Sequence, residues 1–303
     1  MKKSIIIVTI VAAMFVLAAC DENGNNDEVS NPFRGGTQSL SVSFEDENPP
    51  SEVFSDEDFY ISMRISNQGE HTVPENDLTL RVQGINPDTY GLSEDRKTLS
   101  PSLRGTVYDP ERNVVEGDEE YIEFGPLQYD GTPSATLSDQ PIQAAACYSY
   151  GTEALSSICI KEDISSDDPG DVCAVNEDKT VYNSAGPVQV TSFSQSRRGS
   201  NSIAFSFDVE YVGTGDLYGP SSSPSCEDEE DEVYVDIDAP SGTDCSRLGG
   251  GTSGTLRLSG GSRMVSCELD VSDVTSSYIE QVGIELDYSH RQVMTTTLDV
   301  RPE

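Results

Sequence analysis

The strongest constraint on this chain is a two-residue rhythm. Phe59, Ile61, Met63 and Ile65 alternate with Tyr60, Ser62, Arg64 and Ser66, which is the signature of a strand with one buried face. Leu40-Val42-Phe44 and Leu78-Leu80-Val82 alternate in the same way. So do Ile203-Phe205-Phe207-Val209-Tyr211, Val233-Val235-Ile237, Val282-Ile284-Leu286-Tyr288 and Leu298-Val300. Beyond the N-terminal apolar run, no long window places apolar residues at helical spacing between helix caps. Many short strands broken by Gly, Pro, Asn and Asp predict an all-β chain built of antiparallel sandwiches.

The rhythm also repeats. Ile142, Ala144, Ala146, Tyr148, Ser149, Ile158 and Ile160 match Val282, Ile284, Leu286, Tyr288, Ser289, Leu298 and Val300 at a constant offset of 140. Phe59, Ile61, Met63, Ile65 and Gly69 match Ile203, Phe205, Phe207, Val209 and Gly213 at an offset of 144. Two ordered matches at nearly equal offsets predict duplication of one domain type. The expected division is residues 37–161 and 172–303, joined by a polar linker at 162–171. Each half is expected to end in a hairpin, which in the first half turns at Gly151-Thr152-Glu153.

At the N-terminus, Met1-Lys2-Lys3-Ser4 precedes an apolar run from Ile5 to Leu17. This has the form of a secretory signal peptide over residues 1–19 and is shorter than a spanning helix requires. Leu17-Ala18-Ala19-Cys20 resembles the lipobox of prokaryotic lipoproteins. The resemblance implies cleavage before Cys20 and a diacylglyceryl group on its thiol, and two acyl chains hold a protein stably on a membrane. Residues 20–36 are Asp-, Glu-, Asn- and Gly-rich and read as a disordered acidic stalk. The expected place of work is the extracytoplasmic face of the cell membrane.

Charge narrows the partners. The formal charge is −36, and removing residues 1–19 takes two lysines and no acid, leaving −38. Lys97, Lys161 and Lys179 are then the only lysines. Acid excess with so little lysine is similar to the surfaces of halophilic proteins, where concentrated salt screens the self-repulsion; an archaeal, halophilic source is the expectation. Nucleic acid, which needs clustered Lys and Arg, is excluded as a partner. The expected partners are the membrane, through Cys20, and a surface protein or glycan.

Six further cysteines, at 147, 159, 173, 226, 245 and 267, are an even number in a compartment that permits disulfides. If Cys147 and Cys159 sit on the two arms of a hairpin they are cross-strand neighbours, so the expected pairs are 147–159, 173–226 and 245–267. Their spacing does not resemble a zinc site.

Catalytic signatures are absent: there is no G-x-S-x-G, H-E-x-x-H or P-loop, and the two histidines, His71 and His290, fall at or beside predicted strand ends and read as lone surface histidines. No catalytic residue, metal site or cofactor is expected. The acidic runs Glu45 to Glu47, Asp56 to Asp58 and Glu227 to Glu232 lack the alternate spacing of a calcium loop and read as solvated. Tyrosine is the favoured aromatic, with thirteen against nine Phe and no Trp. It suits wet binding surfaces, and Tyr148, Tyr150, Tyr288 and His290 are candidates for a binding edge by position alone, core tyrosines plus one exposed ring being the preferred reading.

Val53-x5-Phe59-x-Ile61-x-Met63-x-Ile65-x-Asn67-x-Gly69 resembles the second-strand region of CARDB-like and related immunoglobulin-like domains of prokaryotic surface proteins. In the second half Tyr211 replaces the Asn while Gly213 is kept. The resemblance implies tandem immunoglobulin-like sandwiches used for spacing or binding, with no catalytic residues to transfer. The reading is a lipid-anchored, non-enzymatic surface protein for adhesion, interaction or envelope structure. The alternative is an accessory or solute-binding lipoprotein of a transport system.

Overall fold

The computed structural model describes residues 30–166, 171–220, 225–227 and 230–303. The expected signal peptide, Cys20, most of the stalk, residues 167–170 of the linker and residues 228–229 of the acidic run lie outside them. In the first half the strands are β1 (Leu40–Phe44), β2 (Glu52–Phe54), β3 (Phe59–Asn67), β4 (Leu78–Gln83), β5 (Arg96–Thr98), β6 (Val107–Tyr108), β7 (Val114–Val115), β8 (Glu119–Leu127) and β9 (Leu137–Ile160). The second half supplies β10 (Glu177–Asp178), β11 (Tyr182–Asn183), β12 (Val188–Arg198), β13 (Ser202–Tyr211), β14 (Asp216–Tyr218), β15 (Glu232–Asp238), β16 (Asp244–Ser246), β17 (Ser253–Arg257), β18 (Ser262–Asp270) and β19 (Tyr278–Arg301). The only helical element among the described residues is a three-residue 3-10 turn at Ser259–Gly261.

The period-two pattern acts as expected on β3 and β13. Phe59, Ile61, Met63 and Ile65 point into one core, and Ile203, Phe205, Phe207 and Val209 into the other, each nearly free of solvent contact. A strand that buries every second side chain removes its apolar face from water at about 25 cal/mol per Å². The stacked rings of Phe193 and Phe205, 5.5 Å apart, fill the second core.

The two halves share one connectivity. One sheet of the first half has the order β1-β3-β8, and the same path in the second half is β12-β13-β18. The facing strands are β5-β4-β9 and β17-β15-β19. This is immunoglobulin-type connectivity, with a first, second and fifth strand on one sheet and a fourth, third and sixth on the other. Among the described residues neither half has a seventh strand of its own beside the sixth.

That strand comes from the other half. No hairpin forms at Gly151-Thr152-Glu153: β9 runs straight through them for 24 residues, and β19 is equally long. The two pair antiparallel along nearly their whole length, with Tyr150 opposite Tyr288 and Ser149 opposite Ser289. Residues 290–301 of β19 therefore lie beside the first arm of β9 and end against β2, while residues 149–160 of β9 lie beside the first arm of β19 and pair with β11. Each sandwich takes its seventh strand from its neighbour. At about 3.3 Å per residue the paired strands make a spine about 80 Å long. The central run of strands reads β17-β15-β19-β9-β4-β5, the same sequence of roles from either end. Ser149 and Ser289 are both repeat equivalents and facing neighbours, so the pseudo-twofold axis passes between them. Even-numbered residues of both strands face the two cores; odd-numbered residues face outward.

The straight spine corrects the disulfides. Cys147 and Cys159 lie twelve positions apart on one strand, about 40 Å, whereas a disulfide needs Cα atoms within about 7 Å. Cys147 instead bonds Cys226 in the loop between β14 and β15, with Cα atoms 5.9 Å apart, which ties the first half to the second. Cys159 bonds Cys173 rather than Cys173 bonding Cys226, and the third bridge joins Cys245 to Cys267. Beside the second bridge, the buried Lys161 donates to the Ser166 carbonyl at 2.6 Å and contacts Asp171, so these parts of the linker are held against the end of β9.

Candidate functional site

Tyr148, Tyr150, Tyr288 and His290 do come together, but not on a surface. All four occupy even positions at the middle of the spine, and their exposures are 0, 1, 1 and 1%. They are the core of the junction between the sandwiches, which agrees with the reading of core tyrosines and removes the candidate binding edge.

The duplication explains their hydrogen bonds. Asn67 at the end of β3 donates through Nδ2 to the carbonyls of His71 (2.8 Å) and Leu103 (3.0 Å), and its Oδ1 accepts from the Gly69 N–H and, at 3.3 Å, the Tyr150 hydroxyl. In the second half Tyr211 stands at the Asn67 position and His290 at the Tyr150 position, and the two meet at 3.0 Å. Likewise Gln292 donates to the Tyr148 hydroxyl at 2.8 Å, and its repeat equivalent Thr152 bonds the Tyr288 hydroxyl at 2.9 Å. The glycine of the Asn-x-Gly signature is explained too. A Cβ on Gly69 would fall 1.9 Å from the Tyr150 hydroxyl and 2.5 Å from the Gln38 carbonyl, so only glycine lets this turn pass under the spine.

His290 is the one imidazole locked inside this network. Its Nε2 lies 3.0 Å from the Thr214 carbonyl, which can only accept, so Nε2 carries the proton and Nδ1 accepts from the Tyr148 hydroxyl at 2.8 Å. Burial depresses its pKa to about 4, against favourable contributions from the Thr214 carbonyl and Asp216. The unfolded chain binds this proton near pH 6.5. Stability is therefore complete above about pH 6.5 and is lost as pH falls toward 4, by about 3 kcal/mol for this group. Urea denaturation between pH 7 and 4 is expected to show this fall, and His290→Gln is expected to flatten it. A profile with the same slope in the variant would place the titration elsewhere.

Ser149 and Ser289 flank the axis on the outer face, and their hydroxyl oxygens are buried without a hydrogen-bond partner among the described residues. Glu227, in the described part of the longest acidic run, stands 3.9 Å from Arg96. Among the described residues no three His, Cys, Asp or Glu side chains are placed to hold a metal ion.

The depression that gathers both polar and aromatic groups lies beside the junction and encloses about 260 Å³. Phe33 and Tyr108 form its apolar side, and His71, Thr106, Glu153 and Ser184 its polar side. The β6–β7 hairpin delivers Tyr108, the spine Glu153 and the second half Ser184. Gly105 permits the close packing beneath, where a Cβ would lie 2.4 Å from the Glu70 carbonyl oxygen. Burial lowers the pKa of His71, so its ring is neutral at pH 7. The depression also holds two carboxylates, Glu70 and Glu153, the residue types of a glycosidase. Glu70 is spent on structure, however: its oxygens accept the backbone N–H groups of Arg34 (2.9 Å), Gly35 (2.9 Å) and Ala185 (2.7 Å). It braces the segment before β1 against the second half, with both oxygens engaged by backbone N–H groups. Nothing in the local sequence marks this site, because its residues come from five separate segments.

No known protein family matches the chain, and no curated protein matches it. Among solved structures, the chain shares 8% identity with the partial N-terminal region of an enterococcal surface protein, covering 87% of this chain and 85% of that one at a TM-score of 0.17. It shares 8% identity with collagen adhesin from S. aureus, over 92% and 96% of the two chains, at a TM-score of 0.10. An Escherichia coli alpha-2-macroglobulin gives 8% identity over 88% of this chain and 22% of that one, at a TM-score of 0.15. At such TM-scores these likenesses carry no argument about fold or function.

Proposed function

We propose that this is a lipid-anchored protein of the outer cell surface that acts without catalysis, as an adhesion, interaction or envelope-structural module. The observation that carries the reading is the Cys147–Cys226 bridge. It ties one sandwich to the other across the junction, a link that persists where thiols are oxidised and is rare where glutathione keeps them reduced. Two sandwiches fused through an 80 Å spine make a stiff body suited to presenting a surface away from a membrane. No described helix is long and apolar enough to cross a bilayer, and attachment is assigned to the lipid on Cys20. A transport-system lipoprotein has less support, since that role usually employs a helix-containing two-lobed body. Intact-mass analysis of the protein from its native membrane tests the anchor: a diacylglyceryl group on an N-terminal Cys20 supports it, and an unmodified chain beginning at Met1 overturns it.

A further inference from the structure

We propose that the depression beside the junction binds a single neutral sugar ring, and that it is the recognition site of the surface role inferred above, on which this assignment rests. The volume, about 260 Å³, is below that of pockets built for larger ligands. It suits one ring at the end of a glycan.

The chemistry of the lining matches a polyhydroxyl ligand. A sugar offers an apolar face of C–H groups and a rim of hydroxyls, each both donor and acceptor. Tyr108 supplies an exposed aromatic platform at the mouth. The Arg112 guanidinium lies 5.7 Å from the centre of that ring and holds it in place. A ring fixed in this way stacks at little cost in entropy.

The polar side has unspent hydrogen-bonding capacity. Thr106 is 1% exposed, and its hydroxyl has no hydrogen-bond partner among the described residues. A buried hydroxyl without a partner costs about 1 to 3 kcal/mol; Thr106 lines the cavity, but its hydroxyl oxygen is closed off behind the wall, so the hydrogen bonds to a ligand fall to His71 and Ser184. His71 leans on the Tyr150 ring, 5.1 Å between centres, and among the described residues its two ring nitrogens make no hydrogen bond. Neutral imidazole offers one donor and one acceptor, the pair that a sugar hydroxyl satisfies. The Ser184 hydroxyl accepts the Glu153 N–H at 2.8 Å and keeps its own hydrogen to donate.

Charge selects against acidic sugars. Glu70 and Glu153 line the depression and outnumber the Arg112 guanidinium beside Tyr108, so a uronate or sulfated sugar meets net like charge. Because Ser184 comes from the second half and Glu153 from the second arm of β9, the site exists only in the exchanged arrangement.

The test uses the full chain, with His71 and tyrosine ring resonances observed by NMR during titration with methyl glucoside, methyl mannoside, methyl galactoside, N-acetylglucosamine and galacturonate, each to roughly 50 mM. At least one neutral sugar is expected to give saturable shifts at His71, with galacturonate about tenfold weaker. Tyr108→Ala, at an exposed position, and His71→Phe, which keeps the ring against Tyr150, are each expected to weaken binding about tenfold with the unfolding midpoint retained in Tyr108→Ala. No saturable shift with any neutral sugar, or unchanged affinity in Tyr108→Ala, overturns the site. Cells displaying the chain separate this from the broader role. Attachment that survives Tyr108→Ala removes the site and leaves adhesion standing, whereas sugar binding without any attachment removes adhesion and leaves the site.

Discussion

The double substitution Cys147→Ala/Cys226→Ala is expected to lower the free energy of unfolding by about 4.5 kcal/mol. The bridge spans 79 residues, and in the chain-entropy account a loop of that length removes about 15 cal/mol/K from the unfolded ensemble. The Cys245–Cys267 bridge, spanning 22 residues, is worth about 3.4 kcal/mol on the same scale. The first also stitches the sandwiches together, so its loss is expected to separate their unfolding into two steps where the parent shows one. Urea denaturation followed by tyrosine fluorescence checks both statements. A loss below about 1 kcal/mol, with one transition retained, would show that the bridge closes no long loop.

Truncating the centre of the spine is expected to cost almost as much. Tyr288→Ala removes a side chain that is 1% exposed, packed against Tyr150 at 6.3 Å between ring centres and hydrogen-bonded to Thr152. Large-to-small changes of this kind cost about 4 kcal/mol through lost burial and the cavity left behind. Tyr288→Phe keeps the ring but leaves the Thr152 hydroxyl without its partner, and about 1 to 2 kcal/mol is expected. On the same strand but the outer face, Val293 is 46% exposed, and Val293→Ala should change stability by less than about 0.5 kcal/mol. Equal losses at 288 and 293 would contradict the assignment of inner and outer faces.

These contrasts show where sequence reasoning holds and where it stops. The alternation in Phe59–Asn67 is a local property, because neighbouring side chains of a strand must point to opposite sides, so it predicts β3 and its buried residues directly. The offsets of 140 and 144 are equally readable, and the shared connectivity of the halves is their structural counterpart. Gly151-Thr152-Glu153 is a different matter. The same three residues suit a turn or a straight crossing, and the choice is made by partners about 135 to 140 positions away: Thr152 bonds Tyr288, and Gly151 lies opposite Asp287. Once the turn is misread, the pairing of Cys147 with Cys159 and the exposure of Tyr148 and Tyr150 follow from it. The sugar-sized depression was not legible for a related reason. Phe33, His71, Tyr108, Glu153 and Ser184 carry no shared spacing, and only the crossing of the two halves assembles them.

Reciprocal exchange of seventh strands has a consequence for how the chain is made. Domains ordinarily fold one after another as the polypeptide emerges from the ribosome. Here the first sandwich waits for residues 290–301, while the second borrows residues 149–160, made long before it. The first half cannot reach its final compact form until residues 290–301 of the second have been made. A chain so arranged closes its two sandwiches together rather than in turn, each completing the other.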